Sequence, residues 1–71
     1  MEITFKIIKH FGTISTNVNG WNKEVNLVSW NKGSAKIDIR EWSPDHKIMT
    51  KGITLTEDEM TALVDLMKEE L

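Results

Sequence analysis

Apolar and polar positions alternate along the first three quarters of the chain and then switch to a helical period. Ile3, Phe5 and Ile7 alternate with Thr4, Lys6 and Ile8, a period of two that predicts a strand, and Gly12 permits a bend or bulge before Thr13-Ile-Ser15. Asn17-Val-Asn-Gly20 reads as a turn because Asn and Gly tolerate positive φ. A second strand is expected from Glu24 to Trp30, with Val25 and Leu27 on one face and Asn26, Val28 and Trp30 on the other. Asn31-Lys-Gly-Ser34 supplies its hairpin loop. The third strand runs from Ala35 to Trp42: Ile37 and Ile39 should face a core while Lys36, Asp38, Arg40 and Trp42 share the other face. Ser43-Pro-Asp45 stops it, since proline cannot donate to a ladder, and a short fourth strand is expected over about Gly52 to Leu55.

Thr56 then opens a helix. Glu59 three residues on completes a capping box, Leu55 and Met60 hold the positions of a hydrophobic staple, and three acids in the first turn suit the positive end of the helix dipole. Met60, Leu63, Val64, Met67 and Leu71 form a stripe roughly 100° wide, which Leu66 widens to ~160°. One sheet face does not need so broad an arc. The pattern therefore predicts an α+β fold, a four-stranded curved antiparallel sheet followed by one C-terminal helix, in a two-fold homodimer whose interface includes Met60, Leu63, Leu66 and Met67.

Length supports the need for a partner. Seventy-one residues fit one domain, taken as 1–71, but a chain this short buries only about 60% of the surface its unfolded form exposes. It has no cysteine, which excludes disulfides and thiolate zinc sites as reinforcement. No apolar run approaches the ~20 residues of a membrane span, and the Met1-Glu-Ile-Thr start lacks the basic region and cleavage site of a signal peptide, so a cytoplasmic location is expected.

The net charge of -2 conceals a division. Residues 1–55 carry eight basic and five acidic side chains, +3, whereas 56–71 carry six acids against Lys68, -5. A polyanion is repelled by the helix and must approach the sheet, because charges more than a Debye length of ~10 Å apart are largely screened. Candidate phosphate contacts are Lys23, Lys32, Lys36, Arg40 and Lys51, candidate stacking residues are Trp30, Trp42 and Trp21, and Asn26 lies on the same expected face. Each has a structural alternative. Trp21 follows a turn and its strand parity is open, the lysines are individually ordinary surface, and Arg40 could pair only with Asp38 or Glu24. Trp30 and Trp42 oppose Leu27 and Ile39 in parity, which favours exposure. Asp38 is expected to orient Arg40 or accept backbone hydrogen bonds.

Catalytic and cofactor chemistry finds no support. His10 and His46 are far apart in sequence with no third histidine, so a metal site is not expected. Ser43, Asp45 and His46 are neighbours in a turn and cannot form a nucleophilic relay alone, and Lys51-Gly52 is no phosphate loop. No cofactor and no enzymatic activity are expected.

Ile37-Asp-Ile-Arg-Glu-Trp42 with Lys51-Gly-Ile-Thr-Leu55 resembles the core motif of the positive cofactor 4 family of single-stranded-DNA-binding transcriptional coactivators. Gly20-Trp-Asn-Lys-Glu-Val-Asn26, Val28-Ser-Trp-Asn31 and Trp42-Ser-Pro-Asp-His46 resemble its small bacterial YdbC branch. Eukaryotic members have a Tyr-Trp pair where Trp42 and Ser43 stand, a basic residue at the position of Thr50, and a Ser- and Lys-rich tail that this sequence lacks. The resemblance implies a strand-strand-strand-strand-helix chain that dimerises through helices and sheet, and tips Arg40 toward phosphate. It points to single-stranded DNA binding with little sequence specificity, in transcription regulation or DNA replication and repair. The alternatives are a single-stranded RNA-binding module and a protein-interaction adaptor working through the acidic helix.

Overall fold

A computed structural model describes residues 3–71; Met1 and Glu2, the first two residues of the Met1-Glu-Ile-Thr start, lie outside the described residues. Four strands, β1 (Phe5–Thr16), β2 (Asn22–Trp30), β3 (Ala35–Trp42) and β4 (Ile53–Leu55), form an antiparallel meander in the order β1-β2-β3-β4, and α1 (Glu57–Glu70) follows. The expected α+β architecture is therefore present. Among the described residues no helix is long and apolar enough to cross a membrane.

Local chemistry explains the boundaries. Asn17 closes the β1–β2 turn by accepting from Asn19 N (2.9 Å) and Trp21 N (3.0 Å) on its side-chain oxygen, and Gly20 takes φ 82°. Between β2 and β3 the left-handed positions are Asn31 (φ 49°) and Lys32 (φ 63°), with Gly33 N donating to Trp30 O (2.8 Å), the geometry of a type I′ hairpin turn. At α1, Thr56 Oγ1 accepts from Glu59 N (3.1 Å) and Glu59 Oε1 accepts from Thr56 N (2.8 Å), so the capping box forms. The backbone hydrogen bond from Thr56 holds the Glu59 carboxyl below its ordinary value.

β1 is longer than β2, 12 residues against 9, and the excess is taken up in three register shifts. The unpaired residues are Ile8, Phe11 and Ile14, one every third position and all exposed. A bulge sets two residues against one, so it restores the parity that an extra residue would otherwise invert. Gly12 sits at the second of these bulges, as expected.

The faces of the sheet carry a reversal. The polar face presents Glu24, Asn26 and Val28 from β2 with Asp38 and Trp42 from β3, and all five are buried. The apolar face presents Val25, Leu27, Ile37 and Ile39, which are only half-buried. Strand parity was readable in the sequence, but the assignment of the isoleucine face as the enclosed one and the tryptophan face as the open one is corrected. Two segments close the polar face. Phe5 reaches over from β1 to Trp30 and Trp42, at 5.5 and 5.2 Å between ring centroids. Ser43–Thr50 folds back, tied by Ser43 N to Ile48 O (2.8 Å) and Thr50 N to Glu41 O (3.0 Å), and lays His46 flat on Trp42 at 5.0 Å. Helix α1 leaves Leu63, Leu66 and Met67 between 40% and 64% exposed, so apolar surface remains on that side of the chain.

Candidate nucleic-acid interface

Arg40 is the centre of the polar face. Its Nε donates to Asp38 Oδ1 (2.6 Å) and its Nη2 to Asp38 Oδ2 (2.7 Å), a bidentate pair between residues two apart on β3. Nη1 reaches Thr50 O at 3.4 Å, and the guanidinium lies 4.5 Å from the Trp30 ring centroid. Asp38 thus orients Arg40, as expected. With a fully buried carboxylate as partner and only 14% of its own side chain exposed, Arg40 has few donors left for a phosphate and its charge is largely spoken for.

Gly52 makes this arrangement possible. A β-carbon there would run into Arg40 Cβ and the Ile39 carbonyl oxygen and stand 2.9 Å from Arg40 Nε. Glycine lets the residues leading into β4 pass over the arginine. Gly52→Ala should therefore cost about 1–3 kcal/mol through overpacking, read as a lowered denaturation midpoint; an unchanged midpoint would mean that this segment moves aside freely.

Beside Arg40 lies a cleft of about 330 Å³ lined by Trp30, Gly33, Ser34, Lys36 and Thr54. Trp30 is half-buried, one face covered by Arg40, and it borders the cleft with exposed Lys36 alongside. The expected neighbours do not all join it. Trp42 is completely buried, packed between Phe5 and His46, so its assignment as an exposed stacking residue is corrected. Asn26 is also completely buried and its amide is committed to Glu24 and His10, which removes it from the accessible set. The indole N–H groups of Trp30 and Trp42 are enclosed with no acceptor among the described residues.

The lysines do not share one face. Lys23 stands opposite Ser15 and Glu41, on the apolar-face parity of Val25 and Ile39. With Lys51, Thr50 and Gly52 it borders a second cleft of about 330 Å³ at the β3–β4 edge. Lys36 belongs to the polar-face parity, Lys32 projects from the hairpin turn, and Trp21 is half-buried beyond the opposite turn. The basic groups therefore bracket the sheet from its ends and its β4 edge.

A cluster missed in the sequence occupies the other half of the polar face. Glu24, 4% exposed in its side chain, accepts from Asn26 Nδ2 at Oε1 (3.1 Å) and faces His46 Nε2 at Oε2 (2.8 Å). His10 Nδ1 lies 2.6 Å from Asn26 Oδ1 and 3.6 Å from Glu24 Oε1. The chain's two histidines thus converge on one buried carboxylate. The bulges of β1 hid this, because simple alternation cannot place His10. Among the described residues no group of three or more potential ligands could hold a metal ion.

The family profile described as Transcriptional Coactivator p15 (PC4) matches residues 17–66, which span β2 to most of α1 and include the Arg40 site, Glu24 and His46. An uncharacterized protein of Treponema pallidum (strain Nichols) is 48% identical over 66 residues, covering 93% of this chain and 78% of that protein. A profile match over most of the chain, on the meander-plus-helix fold described above, establishes that this protein belongs to the Transcriptional Coactivator p15 (PC4) family.

Proposed function

We propose that residues 1–71 form a cytoplasmic, non-enzymatic module that binds single-stranded DNA with little sequence preference, as a homodimer, in transcription regulation or DNA replication and repair. The observation that carries this reading is the cleft bordered by Trp30 and Lys36, an aromatic ring and an ammonium lining one concavity, with the Arg40 guanidinium packed on the Trp30 ring and not itself part of the lining. A base can stack there while the sugar-phosphate chain follows Lys36, Lys32 and Lys51, and base stacking of this kind contributes about 1–3 kcal/mol per base. Membership of a coactivator family supports the same class of ligand. The half-buried apolar face together with Met60, Leu63, Leu66 and Met67 supports association with a second copy, since a monomer leaves this surface wet.

Fluorescence titration with oligo-dT, the matched oligo-U and a duplex tests the reading, alongside light scattering for the mass. Oligo-dT should bind most tightly, and Lys51→Ala should flatten the salt dependence by about 0.7 in log K per log salt, one single-strand phosphate contact. Tighter binding of oligo-U would move the assignment to RNA. No binding of any nucleic acid, or a mass that stays at 8.2 kDa at high concentration, would overturn it.

A further inference from the structure

The convergence of both histidines on Glu24 has chemical content that a structural hydrogen-bond network alone does not require. The Asn26 amide oxygen and the Glu24 carboxylate can only accept, so the nitrogens facing them, His10 Nδ1 and His46 Nε2, carry the protons when the imidazoles are neutral. The other nitrogen of each ring, His10 Nε2 and His46 Nδ1, has no partner among the described residues, and the side chains are 51% and 42% exposed. A neutral imidazole thus offers its outer nitrogen as a lone pair, which repels a phosphate oxygen. A second proton converts that same atom into a charged donor, with the Glu24 carboxylate lying on the inner side of both rings.

The local charge balance shows how much depends on this. Facing the trio are Arg40 from β3, which lies opposite Glu24 in register but is turned to Asp38, Asp38 itself, and Trp42 under the His46 ring. Arg40 and Asp38 cancel. Thr13 stands opposite Glu24 on β1, and Asp45 precedes His46 with its carboxylate engaged by Ser43 Oγ (2.7 Å) and Lys47 N (3.0 Å). Glu24 with two neutral histidines therefore contributes one negative charge to this half of the face, and with two protonated histidines one positive charge. Histidine is the side chain whose charge changes between pH 5 and 8.

We propose that His10 and His46 form a proton-gated phosphate-binding pair on the polar face, so that binding of single-stranded nucleic acid takes up protons. This rests on the single-strand reading above. The strand then has a second foothold on the same face as the Trp30 cleft, and affinity rises as pH falls.

Binding of oligo-dT at constant ionic strength between pH 8.0 and 5.5 provides the test. Each phosphate contact is worth about threefold in affinity under moderate salt, so two give about a tenfold gain at the lower pH and a salt dependence steeper by about 1.4. His10→Gln should halve the logarithmic gain, and His10→Gln with His46→Gln should abolish it. Because His46 also packs on Trp42, NMR titration of the two imidazoles in the unaltered protein gives a readout free of folding effects: oligo-dT should raise both titration midpoints. Equal affinity and unmoved midpoints across this range would overturn the proposal while leaving the single-strand reading in place; absence of binding at every pH would remove both.

Discussion

Arg40→Ala should cost stability before it costs affinity, by about 3–5 kcal/mol, because it strips the partner from a completely buried carboxylate. Asp38 accepts two charge-assisted hydrogen bonds from Arg40, and among the described residues no other side chain donates to it. Left alone, it must either take up a proton or draw in water. The loss should therefore shrink when Asp38→Asn is combined with Arg40→Met, since removing both charges leaves no uncompensated ion. Urea denaturation of the two variants decides it. A loss below about 1 kcal/mol for Arg40→Ala would place the pair in the weak, solvated class of surface ion pairs and restore Arg40 as a free phosphate ligand.

Trp42→Ala should cost about 3–5 kcal/mol, through the lost contacts of a fully buried indole and the cavity left behind. Phe5 loses one of its two aromatic neighbours and His46 loses the ring it lies on, so the Ser43–Thr50 segment loses its anchor. Small domains hold about 5–15 kcal/mol in total, and a chain of this size belongs at the low end, so the variant should be largely unfolded at 37 °C. Trp42→Phe should be far milder. It gives up volume but also removes the indole N–H that has no acceptor among the described residues, a group whose burial costs about 1–3 kcal/mol. A thermal melt of Trp42→Ala within a degree or two of the unaltered protein would mean the indole is not core after all and would return it to the set of stacking residues.

Much of the fold could be read directly because it is local. The limits of β3, the hairpin loop at Asn31, the Thr56 capping box and the pairing of Asp38 with Arg40 all depend on residues within a few positions of one another. What alternation could not reveal was which face is enclosed. That depends on Ser43–Thr50 folding back to set His46 against Glu24 and on Phe5 reaching over from β1, contacts between segments distant in sequence. With Ile37 and Ile39 on one side, hydropathy points to the wrong face, because that side is left half-buried while the polar side has been roofed by the protein itself. The pairing of His10 with Asn26 and Glu24 was hidden for a related reason: two of the three insertions lie after Ile7 and His10, and each resets the parity by which a strand is read.

Those insertions in β1 also bear on how copies of the chain avoid one another. An edge strand with an unbroken row of amides is a template for indefinite edge-to-edge growth, and regular spacing is what such growth requires. β1 interrupts its ladder three times in twelve residues, so an incoming strand meets no stretch longer than three residues in one register. The other edge, β4, is three residues long. Both rims of the sheet thus lack the long, even row of amides on which edge-to-edge growth depends, on the very strand whose unpaired residues, Ile8, Phe11 and Ile14, are apolar and exposed.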